Sequence, residues 1–407
     1  MVKSKEREEF PPYRWVVLAA FMLVALLSQL LWLTFAPISS EASKIFGVSA
    51  FNISLLSLVW PLVFVIIAIP AGVFIDKKGF KKSVGLAAII MAIFSILRVF
   101  STYPSYNFPL LLFSQTGASI SQAFIFGSIT KIAVSWFPEN EHGIANGLAT
   151  IGLFLGMMLA LIVTPMLYLS FGMRGMLLAY ALLSCIFAVL FLSLAKENNL
   201  EREMKESSTF TMRDLWNLSR LKEFLILEFG FFAGVGGFTA IMTWLEEILH
   251  SLHGLSIDRA GMAGGAMIIG GIIGSIIIPA ISDKTNRRKP FIIVNLLIGS
   301  IMLYVIGIID GFVVITAVSF ILGFFLMSTL PLVLEISSRI AGKGMEGRAS
   351  SMLWFFSQVG SIVLIAAVEP AKSIMGGYQY SLLLIAALWI IALLLFAGLK
   401  EDVSYKT

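Results

Sequence analysis

Gln115, Ser119 and Gln122 fall at i, i+4 and i+7 of an otherwise apolar stretch, so a helix there would carry all three on one face. Amides and hydroxyls both donate and accept hydrogen bonds, which suits holding a small polar solute better than breaking its bonds. Ser351, Trp354, Gln358 and Ser361 form a second stripe of this kind, and Gln29 with Trp32 forms a third. Phe231, Phe238 and Met242 mark an aromatic face. Such faces attract quaternary or protonated amines through the ring quadrupole. For any single Ser the plainer reading is a bond between helices, about 0.6 kcal/mol in a bilayer. For Gln122, Gln358 and Trp32, near the middle of apolar runs, lining a cavity is the better reading.

Ionisable residues inside apolar runs are costly, roughly 2.5–3.5 kcal/mol at a helix centre. Glu228 and Glu335 are two of them. Each can carry a coupling proton or ion, or pair with neighbouring cations: Arg339 for Glu335, and Arg220 or Lys222 for Glu228. Arg98 can attract an anion or snorkel to the interface. Glu246, Glu247, His250 and His253 read as a solvated helix end. No nucleophile elbow, phosphate loop, Asp-rich motif or acyltransferase motif is present, which speaks against an enzyme with catalytic residues or a cofactor. Three His, all in loops or near span ends, make a metal site a poor reading.

The elements that position these residues follow from composition. Charged residues are 13% and hydrophobic residues 58% of 407 positions, against about a quarter and about half in soluble domains. No charge lies between Arg14 and Glu41, Lys44 and Asp76, or Arg98 and Lys131. Each gap exceeds the roughly 20 residues that a helix needs to cross hydrocarbon, and is too long for a barrel strand. The sequence therefore predicts an all-α membrane protein with twelve spans near 15–38, 51–75, 82–101, 108–137, 143–169, 174–195, 222–249, 258–282, 289–309, 312–341, 346–373 and 377–399. The first span is too long for a cleaved signal peptide. With both termini cytoplasmic, all but five of the 29 Lys and Arg fall in cytoplasmic segments or helix ends; Lys44, Arg98, Arg174, Arg259 and Lys372 are the exceptions. The net charge of +5 is thus a topology signal, and nucleic acid is not an expected partner. The lone Cys185 excludes an intramolecular disulfide.

The chain also repeats itself. Gly72-Val-Phe-Ile-Asp76-Lys-Lys-Gly79-Phe-Lys81-Lys82 follows the second span, and Ala280-Ile-Ser-Asp283-Lys-Thr-Asn-Arg287-Arg288-Lys289 follows the eighth. Asp76 and Asp283 are 207 positions apart, as are Glu139 and Glu346. This places an N-terminal six-helix bundle at 1–195, a cytoplasmic linker at 196–221 and a C-terminal six-helix bundle at 222–407, related by a pseudo-twofold axis.

The 72–82 loop resembles the signature loop of the major facilitator superfamily, and its recurrence after the eighth span extends the resemblance over the whole chain. The resemblance implies secondary active or facilitative transport of a small solute by alternating access across the cytoplasmic membrane, by a monomer in the lipid bilayer. It implies an inside gate in which Asp76 meets Lys131 and the 346–350 turn, with Asp283 and Arg339 as the second-half counterpart. The strings Leu31-Trp32-Leu-Thr-Phe-Ala-Pro, Ser121-Gln122-Ala-Phe-Ile, Ile132-Ala-Val-Ser-Trp-Phe and Ser357-Gln358-Val-Gly resemble the feline leukaemia virus subgroup C receptor-related branch. That branch is associated with haem and with choline or ethanolamine. It implies Trp32, Gln122 and Gln358 at the substrate, with Phe238 where the branch tends to carry Tyr; Gln29, Gln115 and Trp354 share the stripes. A choline-like amine is the first expectation, an organic anion or amphiphilic drug the second, and a receptor or scaffold the non-transport alternative. A coupling proton or Na+ stays open.

Overall fold

A computed structural model describes residues 12–138, 141–197, 218–285, 287–342 and 346–399. The expected termini, most of the 196–221 linker, Glu139, and the side chains of Glu346 and Arg348 lie outside that description. The described residues contain no strand. The helices are α1 (Arg14–Trp32), α2 (Ser39–Phe46), α3 (Ala50–Lys78), α4 (Phe80–Phe100), α5 (Phe108–Trp136), α6 (His142–Leu194), α7 (Lys222–His253), α8 (Ile257–Thr285), α9 (Lys289–Ile306), α10 (Phe312–Ala341), α11 (Glu346–Met375) and α12 (Tyr378–Ala397).

Among the described residues, eleven helices are long and apolar enough to cross a membrane, with α1 and α2 taken as one span. The 53-residue α6 would be about 80 Å long at 1.5 Å per residue, more than twice the hydrocarbon thickness. It is broken at Gly172, whose φ of 66° and ψ of −179° leave the helical region. A glycine makes that conformation accessible without a Cβ clash. The two arms supply the fifth and sixth crossings, so the described residues make twelve. The first span departs from expectation: it ends at Trp32 and resumes through a 3-10 turn, Ala36–Ile38, into α2. Pro37 has no N–H with which to continue the helix ladder, and at the end of α1 the Thr34 hydroxyl lies within hydrogen-bond distance of the carbonyls of Leu30 (2.9 Å) and Leu31 (3.2 Å).

The chain divides into two compact units, Met1–Phe35 with Glu41–Ser208, and Ala36–Ser40 with Thr209–Thr407. Small residues set the helix spacing within each. In the first, a Cβ on Gly156 of α6 would collide with the Leu26 carbonyl of α1. In the second, Gly236 of α7 lies so close to Gly360 of α11 that a Cβ would stand 2.6 Å from the Gly360 carbonyl carbon. Gly270 and Gly274, a Gly-x-x-x-Gly pair on α8, face the Phe320 and Phe324 carbonyls of α10 with no room for a methyl. In lipid, burial of apolar surface does not drive helices together, so close backbone packing of this kind does. The surface is correspondingly apolar, with Ile66 64% and Val189 66% exposed, while Ser, Thr and Gln side chains are buried inside.

Candidate functional site

The first unit builds its polar interior around the end of α1. Helix termini leave carbonyls without intrahelical partners. Here the Leu31 carbonyl accepts from Gln115 Nε2 of α5 (3.0 Å) and from Arg98 Nη1 of α4 (3.4 Å), and Arg98 Nη1 donates to Gln115 Oε1 (2.8 Å). Arg98 is completely buried, so it does not snorkel; its Cζ stands 6.0 Å from the Phe35 ring centroid. A guanidinium at a helix C-terminus answers the negative end of the helix dipole, which accounts for a cation at this depth. Both ends of the Gln115 amide are engaged by this clamp.

Trp32, the last residue of α1, donates from Nε1 to the Ser57 carbonyl of α3 (3.2 Å), which fixes its ring. Gln29 Nε2 donates to Ser28 Oγ (3.1 Å). Gln122 differs from Gln115: it is buried, and its Oε1 has no hydrogen-bond partner among the described residues. An orphaned acceptor of this kind is uncommon in a folded interior and is the sort of atom a ligand satisfies.

In the second unit, Trp354 of α11 meets Phe231 of α7 edge to face, with centroids 6.0 Å apart. Phe238 lies two turns further along α7, buried. Gln358, one turn beyond Trp354, is buried. Glu228 is buried at the start of α7 and accepts from the Ser219 hydroxyl at 2.7 Å. Glu246 is buried too, and is not the solvated helix end that its neighbours suggested; it accepts from Ser40 N (2.9 Å) and Ser40 Oγ (2.6 Å). No group of His, Cys, Asp and Glu among the described residues is arranged to hold a metal.

The repeated loops differ in strength. In the first unit Asp76 and Lys131 stand 3.7 Å apart, with the Asp76 side chain 78% exposed. Arg14 and Glu141 form a second pair in this unit at 2.9 Å. In the second unit Arg288, 4% exposed, holds the cluster together. It donates to Glu335 from Nε (2.5 Å) and Nη2 (2.8 Å), to Ser282 Oγ (3.0 Å), and to Asp283. Arg339 pairs with Glu335 at 2.5 Å, one helical turn away, and not with Asp283 as expected. The physical reason is reach: Arg288 stands just before α9, five residues after Asp283, whereas Arg339 and Glu335 share a face of α10. Glu335 therefore bridges two guanidinium groups, and with Asp283 it balances their charge. Arg288 was hidden in sequence within a run of basic residues that orientation alone explained.

A broken first helix, two units carrying the same acidic-basic loop, and amide and aromatic side chains buried in lipid-spanning helices define a solute carrier. Residues 21–365 match the Major Facilitator Superfamily, and the chain belongs to it. It is a multi-pass membrane transporter, not an enzyme. Its relatives include an uncharacterized protein of Archaeoglobus fulgidus, 40% identical over 226 residues, 56% of this chain and 100% of that one. The choline/ethanolamine transporter flvcr2b of Danio rerio is 25% identical over 410 residues, 96% of this chain and 84% of its own. That likeness relates the chain to the branch named from its sequence strings. A crystal structure of a bacterial homolog to the human lysosomal transporter Spinster has the same fold, with a TM-score of 0.78 at 16% identity, covering 98% of this chain and 100% of that one.

Proposed function

We propose that this transporter carries a small organic solute of the choline or ethanolamine class across the cytoplasmic membrane by alternating access, with both termini on the cytoplasmic side. The observation that carries the reading is Gln122: a buried amide oxygen without a donor suits a solute that brings a hydroxyl or an ammonium. Trp32 in the first unit, and separately Phe231, Phe238, Trp354 and Gln358 in the second, are buried or partly buried aromatic and amide side chains without fixed charge. Aromatic faces of this kind, in either unit, suit an onium group through cation–π attraction. The relation to a choline/ethanolamine transporter supports the same class. Gln115 is not assigned to substrate, because the Arg98 clamp uses its amide. The Asp76–Lys131 and Arg288–Glu335–Asp283 pairs are assigned to gating, and the Lys and Arg distribution supports the orientation.

The test is uptake of labelled choline and ethanolamine into proteoliposomes. Saturable uptake is the expected result, and Gln122→Leu is expected to lower uptake at limiting substrate about tenfold, the equivalent of about 1.4 kcal/mol of lost binding. Uptake of neither amine, or uptake indifferent to Gln122→Leu, refutes the assignment.

A further inference from the structure

An apolar groove runs down the lipid-facing side of the first unit, apart from every residue assigned above. Its volume is about 250 Å³, and it is lined by Ile96, Val99 and Phe100 of α4 and by Leu178, Ala181, Leu182 and Cys185 of the second arm of α6. Its walls carry no polar side chain. Leu178, Ala181 or Leu182, and Cys185 succeed one another at three to four residues, so they share one face of the arm.

Arg174 heads that same face, four residues before Leu178. Side chains on a helix lean toward its N-terminus, so Arg174 leans away from the groove toward its open end. The guanidinium is fixed there: Nη2 donates to the Thr102 carbonyl (2.7 Å), Nε to Thr102 Oγ1 (3.4 Å), and Cζ stands 5.4 Å from the Tyr103 ring centroid. Those partners are neutral, and no carboxylate pairs with Arg174 among the described residues. The level is a membrane boundary, because α4 ends at Phe100 and α6 turns at Gly172. Tyr103 and Phe171, each 68% exposed, belong to the aromatic belt that marks such boundaries.

Arg174 and Cys185 are 11 residues apart, about 16 Å along a helix and about half of the roughly 30 Å hydrocarbon core. That is the depth of one leaflet. We propose that this groove is a phospholipid site, with one acyl chain between α4 and the second arm of α6 and the lipid phosphate on Arg174. The volume of about 250 Å³ and the wholly apolar lining suit part of one acyl chain and not a polar solute. A guanidinium binds phosphate through paired donors, and the Thr102 contacts orient it before the lipid arrives.

Native mass spectrometry of the detergent-purified transporter, with phosphatidylglycerol added at fixed ratios, tests this. Wild type is expected to retain one tightly held phosphatidylglycerol, and to bind diacylglycerol, which lacks the phosphate, at least fivefold more weakly. Arg174→Gln removes the charge and Ala181→Trp fills the groove; each is expected to lower phosphatidylglycerol retention at least fivefold. Each variant also keeps the other half of the site, so either one alone is informative. Equal retention by wild type and Arg174→Gln overturns the phosphate assignment, and equal retention by wild type and Ala181→Trp overturns the groove. Diacylglycerol binding as tight as phosphatidylglycerol does the same for headgroup recognition.

Discussion

Gln115→Leu is the substitution that most directly probes the clamp at the end of α1. It deletes the 2.8 Å bond from Arg98 and the 3.0 Å bond to the Leu31 carbonyl. Arg98 Nε and Nη2 already lack partners among the described residues, so the buried guanidinium would retain only the Leu31 carbonyl at 3.4 Å. A hydrogen bond to a charged group contributes about 1.5–3 kcal/mol, and a neutral bond between membrane helices about 0.6 kcal/mol. The expected loss is therefore about 2–3.5 kcal/mol. Arg98→Met behaves differently, since it removes the buried charge along with the bond, and an isolated buried charge is what makes the single change at Gln115 expensive. It is expected to cost about 1 kcal/mol, and Arg98→Met combined with Gln115→Leu should lie closer to wild type than Gln115→Leu alone. The coupling read from this double-mutant cycle should be about 1.5 kcal/mol or more. Reversible unfolding in bilayers or mixed micelles measures all four proteins. If Gln115→Leu falls within about 0.5 kcal/mol of wild type, or the two changes simply add, Arg98 does not depend on Gln115 and the clamp is wrong.

Arg288→Met should destabilise by about 1–2 kcal/mol, because it removes the buried guanidinium shared by Glu335 and Asp283 and leaves Glu335 with Arg339, whereas Lys131→Met should stay within about 0.5 kcal/mol, since its partner Asp76 is largely solvated; thermal unfolding of both variants reads the contrast. Gly274→Val should cost at least about 2 kcal/mol by forcing α8 away from the Phe324 carbonyl of α10, measured in the same way, and a stable variant would refute the close approach. Trp32→Phe keeps the aromatic face but loses the donor to Ser57, so amine uptake at limiting substrate should fall about fivefold for roughly 1 kcal/mol; unchanged uptake would show that this hydrogen bond does not position the ring.

Much of the architecture was legible in the sequence because its cause is local. A charge-free run such as 99–130 must contain a lipid-spanning helix wherever its neighbours lie, and the 207-residue spacing of Asp76 and Asp283 declares the duplication without any coordinates. Stripes such as Gln115, Ser119 and Gln122 are equally local, since 3.6 residues per turn put them on one face. The partner of each stripe member is not local. Gln115 and Gln122 look alike in sequence, yet one is consumed by Arg98 and Leu31 and the other keeps a free oxygen. Arg98 looked like an interfacial cation until the end of α1 was seen to offer it a carbonyl, and Glu335 met Arg288 from 47 positions away. The sequence by itself thus determined the spans, the repeat and the polar faces, through hydropathy and helical period. Only the tertiary structure decided which polar groups were already satisfied, because that depends on how each helix is rotated and how closely glycines such as Gly156 and Gly274 let it approach its neighbour.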